Sequence, residues 1–274
     1  MKKLRWLAER PVIGPIVKRA MGYMVNREAT NITKHFSEFL TPTLALDEAA
    51  RAEAFSIRHQ VYCKELKFED ENPDGIEMDD FDAYSILCMI KHIRTGNFAG
   101  TVRIVRPTEE SQLLPIEKYC SNAIGSDKIN PSNFARSEIC EISRLAVPAQ
   151  FRRRQTDKFK GAETGVINEY TYSEKELRCF PFIAIGLYLT AASVVIQAGI
   201  KHTFVMMEPR LARSMKFVGI EFDQIGPAVE YHGIRAPYYI NPELLLRNLT
   251  PGFKHMLTSI TQSVDAQLKN VDSI

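Results

Sequence analysis

The 274-residue chain is poor in the residues and motifs that mark several common functions. It has five cysteines, at 63, 88, 120, 140 and 179. They are scattered, odd in number and form no CxxC pair, which excludes a disulfide framework or a thiolate zinc site and fits reduced thiols in a cytosolic protein. Neither GxGxxG nor GxxxxGK[ST] occurs, so no glycine-rich phosphate loop follows a strand. The net charge is only +2, with no basic stripe interleaved with aromatics; nucleic acid is not the expected partner. No small-residue cleavage site follows the basic N-terminus, and Glu9, Arg10 and Pro11 interrupt its apolar run, which argues against a secretory signal.

What remains, 45% hydrophobic and 25% charged residues, is the composition of a soluble globular protein. Residues 1–40 read as a helical appendage, packed or frayed, whose first 25 residues could also lie on a membrane surface. Thr41-Pro42-Thr43 reads as a break. From Asp47, an N-cap candidate, a helix is expected to about Leu66. Tyr84–Arg94 and Ala99–Pro107 form a hairpin about Thr95-Gly96-Asn97. A loop or short helix over 109–136 precedes a strand at Ile139–Val147. A basic loop follows, from Pro148 to about Arg178.

Phe180–Gly199 carries no charge. It is long enough to span a bilayer, but its place between strands favours a buried crossover helix. Lys201–Met207 reads as a strand, Pro209–Val218 as a short helix, and Ile220–Phe222 and Val229–Tyr231 as strands. The tail beyond Asn241 reads as helical and peripheral. The alternation predicts an α+β sandwich, α/β/α in layers, with a mixed sheet. Its core domain would run over 41–241, with 242–274 as a helical extension.

Two stretches carry candidate chemistry. In the first, Arg58 and Tyr62 stand one helical turn apart, ahead of Glu77, Asp79, Asp80 and Asp82. Clustered carboxylates need a cationic counterpart, which here is Arg58, a metal or a bound ammonium. Asp70–Gly75 mimics the start of a calcium loop, but Phe81 stands where a bidentate Glu should close it. A solvated acidic loop is the plain alternative; Ile76, Met78, Phe81 and Tyr84, alternating with the acids, argue for partial burial. Asp79 and Asp82 could instead converge on an amine.

The second stretch is Cys140–Val147. A regular strand would put Glu141, Ser143 and Leu145 on one face and Cys140, Ile142 and Arg144 on the other. The choice lies between an edge strand with surface ion pairs and a catalytic strand with Glu141 as base. A β-bulge would be needed to bring Glu141 and Arg144 together. Cys140 reads as a buried structural thiol. Arg152, Arg153 and Arg154 could meet a phosphate or an acidic protein, or be an ordinary solvated loop.

Taken in order, these pieces resemble the acyl-homoserine-lactone (autoinducer) synthases. The match rests on Arg58 with Tyr62, on Phe68 where the family has Trp, and on Glu77, Asp79 and Asp82 in an E-x-D-x-x-D pattern. It continues at Gly100-Thr101-Val102-Arg103 with Pro107-Thr108, and at Glu141-Ile142-Ser143-Arg144-Leu145-Ala146-Val147. The second half, notably Phe217–Phe222, resembles the general acetyltransferase (GNAT) fold. The added N-terminal and C-terminal segments look more like long-chain N-acyl amino acid synthases, and most like the acyltransferases associated with PEP-CTERM/exosortase systems.

The resemblance implies an N-acyltransferase that needs no bound cofactor and no metal. It would move a fatty acyl group from acyl carrier protein, or from CoA, to a small amine. The acetyl-CoA signature is not intact at Arg152–Lys158, which favours the carrier protein. Glu141 would be the base, through water, with Ser143 and Arg144 beside it. Backbone N–H groups near Leu145, Ala146 and Val147 would meet the oxyanion. Arg58, Tyr62, Phe68, Glu77, Asp79, Asp82 and Arg103 would shape the acceptor pocket, and Arg152–Arg154 would meet pantetheine phosphate or carrier protein. A synthase acting on S-adenosylmethionine, a GNAT-like module that binds acyl ligands without catalysis, and a protein peripheral to the inner membrane stand as alternatives.

Overall fold

A computed structural model of the chain describes residues 33–152, 173, 176 and 179–271. Among these described residues eight strands form one sheet, in the order β1-β2-β3-β4-β5-β8-β6, with β7 paired to β8. β1 (Leu40–Leu44) is an edge strand antiparallel to β2 (Ser85–His92). Thr41-Pro42-Thr43 is therefore part of a strand, not a break: Pro42 lacks an N–H, which an edge tolerates. The hairpin of β2 and β3 (Phe98–Val105) is antiparallel, with Gly96 at φ +73° supplying the left-handed turn. β4 (Ile139–Ala146) is antiparallel to β3 and parallel to β5 (His202–Met207). β8 (Ile234–Ile240), which the sequence reading missed, pairs with β5, β6 (Asp223–Gln224) and β7 (Val229–Glu230).

Alternation along β2 divides the two layers. Leu87 and Met89 pack under Ala54 and Phe55 of α1 (Glu48–Arg58). Cys88 and Ile90 face the larger core on the other side. Asp47 caps α1, its side chain accepting the Ala50 N–H at 2.8 Å. Beyond Arg58 the helix widens over His59–Glu65, so that the Leu66 N–H reaches Val61 O, five residues back. Such widening is frequent at functional sites. Between β3 and β4 lie short helical turns, of which α2 (Pro115–Tyr119) matters below.

The uncharged run is α4 (Ile183–Gln197), the crossover that parallel β4 and β5 require. α3 (Ala149–Arg152) precedes it. Among the described residues no helix is long and apolar enough to cross a membrane. α4 is apolar almost all round because one side meets the sheet and the other meets α7 (Pro251–Val271), which follows α5 (Pro209–Met215) and α6 (Pro242–Asn248).

The tail is not peripheral, as its sequence suggested. Phe253, Met256, Leu257, Ile260 and Val264 of α7 belong to the principal core, together with Phe36 and Leu40 from before the sheet's first turn. Gln267 accepts the Leu44 N–H at 2.9 Å and donates to Pro42 O at 3.0 Å, covering the exposed edge of β1.

Gly219 follows the short helix at φ +87°, where an added Cβ would collide with Asn248 O. Gly219→Ala is expected to cost about 2–4 kcal/mol, from the left-handed backbone and the clash together. Urea denaturation would measure it; a loss below about 1 kcal/mol would show that the α5–α6 region yields easily.

Candidate active site

The site begins with an irregularity in β4. Arg103 pairs with Ser143, yet Thr101 pairs with Ala146. Three steps on β4 therefore match two on β3, which is a bulge, with Arg144 at φ +51°. The bulge turns Arg144 onto the side where Ser143 lies. On the other edge of β4, pairing with β5 covers only Ile139–Glu141 against His202–Phe204. Beyond that point the strands part. A cleft of about 540 Å³ lies between Ile142–Leu145 and Val147 on one side and Val205–Met207 on the other. Phe151, Phe180 and Tyr188 make its apolar end. A recess of about 40 Å³ shares Tyr62, Phe68, Ser143, Arg144 and Arg235 with the cleft, and adds Glu141, Arg103, Tyr231 and His232.

The acidic stretch finds its counterpart in three arginines from three elements. Arg58, fully buried, donates from Nε to Glu77 at 2.5 Å and from Nη1 and Nη2 to the two oxygens of Asp82 at 2.6 and 3.0 Å. Arg103 pairs with Asp79 at 2.5 Å and Asp82 at 3.2 Å, and its Nε donates to Ser143 Oγ at 3.1 Å. Arg144 reaches Glu77 at 3.2 Å, Glu69 at 3.0 Å and Asp79 at 3.4 Å. Burial alone would raise the Glu77 and Asp82 carboxyls; hydrogen bonds and charge from Arg58, aided by Arg144 and Arg103, outweigh it and hold both below the usual carboxylate range. Asp79 also caps the turn over Asp80–Tyr84, where Asp82 Oδ2 accepts the Asp79 N–H at 2.8 Å. Among the described residues, no group of three or more His, Cys, Asp or Glu converges as a metal site.

Glu141 has no such cation at hydrogen-bond distance among the described residues. It is 2% exposed, and burial pushes its carboxyl up to about 8, against the opposing pull of the Ile116 N–H and of Arg103 and Arg144. That N–H, in the first turn of α2, donates to Glu141 Oε2 at 2.7 Å. A carboxyl poised near neutrality, facing a recess, has the properties of a general acid–base group. Tyr62 donates to Leu145 O at 2.8 Å, and the Arg144 guanidinium lies 5.5 Å from its ring centre; these contacts steady the bulge. Cys140, on the opposite face, is raised to about 12 by burial and is no nucleophile. All five cysteines are buried and none is bridged.

Tyr62, Phe68, Arg103, Glu141, Ser143, Arg144, Leu145, Val147 and Arg152 all line the cleft or its recess. Arg58, Glu77, Asp79 and Asp82 stand behind this lining, holding Arg103 and Arg144, and Ala146 is fully buried. Arg152 is paired with Glu65 at the rim. Arg153 and Arg154 lie outside the described residues, as does most of the expected basic loop.

The sequence reading missed Arg235, Tyr231, His232, Met206 and Glu69. Pro237 masks the β8 pattern that would have brought Arg235 forward; Glu69 stood in plain view within the acidic stretch.

This architecture defines the class. The chain has a GNAT-like fold, and residues 57–160 match the acetyltransferase (GNAT) domain family. Solved structures of the same fold include the AHL synthase LasI, at 18% identity over 77% of this chain and 96% of LasI, with a TM-score of 0.51. FeeM, an N-acyl amino acid synthase from uncultured soil microbes, is 12% identical over 77% of this chain and 94% of its own, with a TM-score of 0.50. The CoA-dependent acyl-homoserine lactone synthase BjaI, solved with SAM and isopentyl-CoA, is 16% identical over 76% and 86%, with a TM-score of 0.50. At these identities the likeness is one of fold. No curated protein sequence matches the chain.

Proposed function

We propose that this protein is an N-acyltransferase that moves a fatty acyl group from an acyl carrier protein thioester to a small amine, an amino acid or a related compound. The observation that carries the reading is Glu141: a buried carboxyl with its pKa raised to about 8, at the point where β4 and β5 part and beside a recess opening from an apolar cleft. An ammonium acceptor must lose a proton before its nitrogen can attack. Glu141 takes it, directly or through one water. The C–N bond forms, the tetrahedral oxyanion collapses, the C–S bond breaks, and the carrier thiol leaves with a proton.

In this reading Leu145–Val147 offer backbone donors to the oxyanion, and the apolar end at Phe151, Phe180 and Tyr188 takes the acyl chain. Asp80 is exposed and meets only Lys118 among the described residues, whereas Glu77, Asp79 and Asp82 act through Arg103 and Arg144. Because arginines already pair them, they are poorly suited to a sulfonium acceptor, which favours an ordinary amine over S-adenosylmethionine. The resemblance to PEP-CTERM/exosortase acyltransferases belongs to this proposal, as do the carrier protein as donor and a peripheral membrane contact through residues 1–25.

The experiment presents acyl carrier protein and CoA thioesters to the purified chain and follows thiol release with and without amines. Release that requires an amine, and is faster from the carrier protein, is expected. Release indifferent to the amine, or none from either donor at any chain length, would contradict the reading and leave a binding module.

A further inference from the structure

Among the described residues four arginines line the cleft and its recess, and three of them are paired: Arg103 with Asp79 and Asp82, Arg144 with Glu69, Glu77 and Asp79, and Arg152 with Glu65. The fourth, Arg235, lines both cavities and has no carboxylate within ion-pair distance among the described residues. Its one hydrogen bond there runs from Nε to His232 O at 3.4 Å, and its guanidinium lies 5.9 Å from the Phe68 ring centre. Arg235 is half-buried at the start of β8. The turn before it is closed by two local hydrogen bonds: Tyr231 N–H donates to Gly233 O at 2.9 Å, and Gly233 N–H to Glu230 Oε1 at 3.1 Å. A partly desolvated guanidinium with its outer nitrogens uncommitted, held by Phe68 and a tight hairpin, is a preformed socket for a planar anion.

We propose that Arg235 binds the carboxylate of the acceptor, so that the site selects α-amino carboxylates over amines that lack the acid. The proposal rests on the acyl-transfer reading for the acceptor's identity. Arg235 and Glu141 both face the narrow recess. A molecule with its amine and its carboxylate on one carbon can meet both, presenting its nitrogen to the base while its carboxylate is clamped. Arg235 also lines the cleft, so a pantetheine phosphate there is the competing anion, and the variants' KM for the thioester separates the two.

The test compares proteinogenic amino acids with their α-amides, and S-adenosylmethionine with its decarboxylated form, by calorimetric binding and as acyl acceptors. Arg235→Met and Arg235→Lys variants are measured beside the wild type. Loss of a charge-assisted pair corresponds to about tenfold to a hundredfold in affinity. The wild type is expected to prefer at least one acid over its amide by that factor; Arg235→Met should erase the preference and Arg235→Lys should keep part of it.

Which acid is bound identifies the source of the carboxylate. Equal treatment of acid and amide by the wild type, no binding of any acid, or a preference that survives in Arg235→Met would overturn the assignment. So would a variant whose only defect is a raised KM for the thioester. An Arg235-dependent preference in binding without thiol release would instead overturn the acyl-transfer reading and leave the carboxylate socket standing.

Discussion

Glu141→Gln is expected to lower amine acylation by roughly a hundredfold or more while leaving the protein folded. Gln can still accept the Ile116 N–H that Glu141 receives at 2.7 Å, and it fills the same volume, so the strand and α2 keep their contact. What is lost is the ability to take a proton.

The pH dependence separates this from a structural effect. A base works when deprotonated, so wild-type kcat/KM should rise with pH and level off near 8, the value to which burial raises Glu141. The variant should lose that inflection and keep only the one belonging to the acceptor's own amine.

Stability should move in the opposite sense. Between the ordinary carboxylate pKa of about 4.3 and the raised value near 8, the folded protein holds a proton that the unfolded chain releases. The stability that this proton confers is full below about pH 4, and it falls by up to about 1.4 kcal/mol per pH unit until the folded pKa is passed. Gln has no such loss, so the variant should gain on the wild type as pH rises from 5 to 8. An unchanged rate, or a pH profile identical to the wild type's, would remove Glu141 from the role.

Arg58→Ala is expected to destabilise the fold by about 3–5 kcal/mol, because it leaves Glu77 and Asp82 buried without their principal cation. Arg58 is fully buried and divides its donors between two carboxylates from a different segment; Arg103 and Arg144 also touch these acids, at 3.2 Å each, but are committed to Asp79 and Glu69 as well. Lys carries the charge but not the fork, so Arg58→Lys should lie between the two.

Both acids have depressed folded pKa values, so the stability they contribute is present above the unfolded carboxylate range and is lost as pH falls through the folded values. The deficit of Arg58→Ala should therefore be largest near neutrality and shrink in acid, where the orphaned carboxyls take up protons. Urea titrations at pH 7 and pH 4 would measure this; a variant within 1 kcal/mol of the wild type at pH 7 would show the network to be dispensable.

The parts of this molecule that were legible in its sequence are those where one local rule suffices. Asp47 before an apolar periodicity marked the start of α1. Gly96 marked the hairpin, and an uncharged run ending at Gly199 marked the crossover helix. The polar residues on both sides of β4 announced an unusual strand, and the bulge at Arg144 is the physical form that strangeness takes.

What stayed hidden depends on distant segments. Pro42 and Pro237 disguised two strands: the first is tolerated because it sits at an edge that Gln267 covers from more than two hundred residues away. The acidic stretch alone could not disclose all its partners, because Arg103 and Arg144 arrive from β3 and β4; the resemblance named both as holding its carboxylates, and both do. Arg235 could not stand out until β8 was laid beside β5.

The central claim is that a buried glutamate at the parting of two strands drives acyl transfer to nitrogen. Mass spectrometry of the products from an acyl carrier protein thioester and an amino acid, with wild type and Glu141→Gln side by side, tests it most directly. The account predicts an N-acyl amino acid and free carrier thiol in equal amounts from the wild type, and a trace from the variant. Intact thioester, free fatty acid as the sole product, or equal yields from both proteins would contradict it.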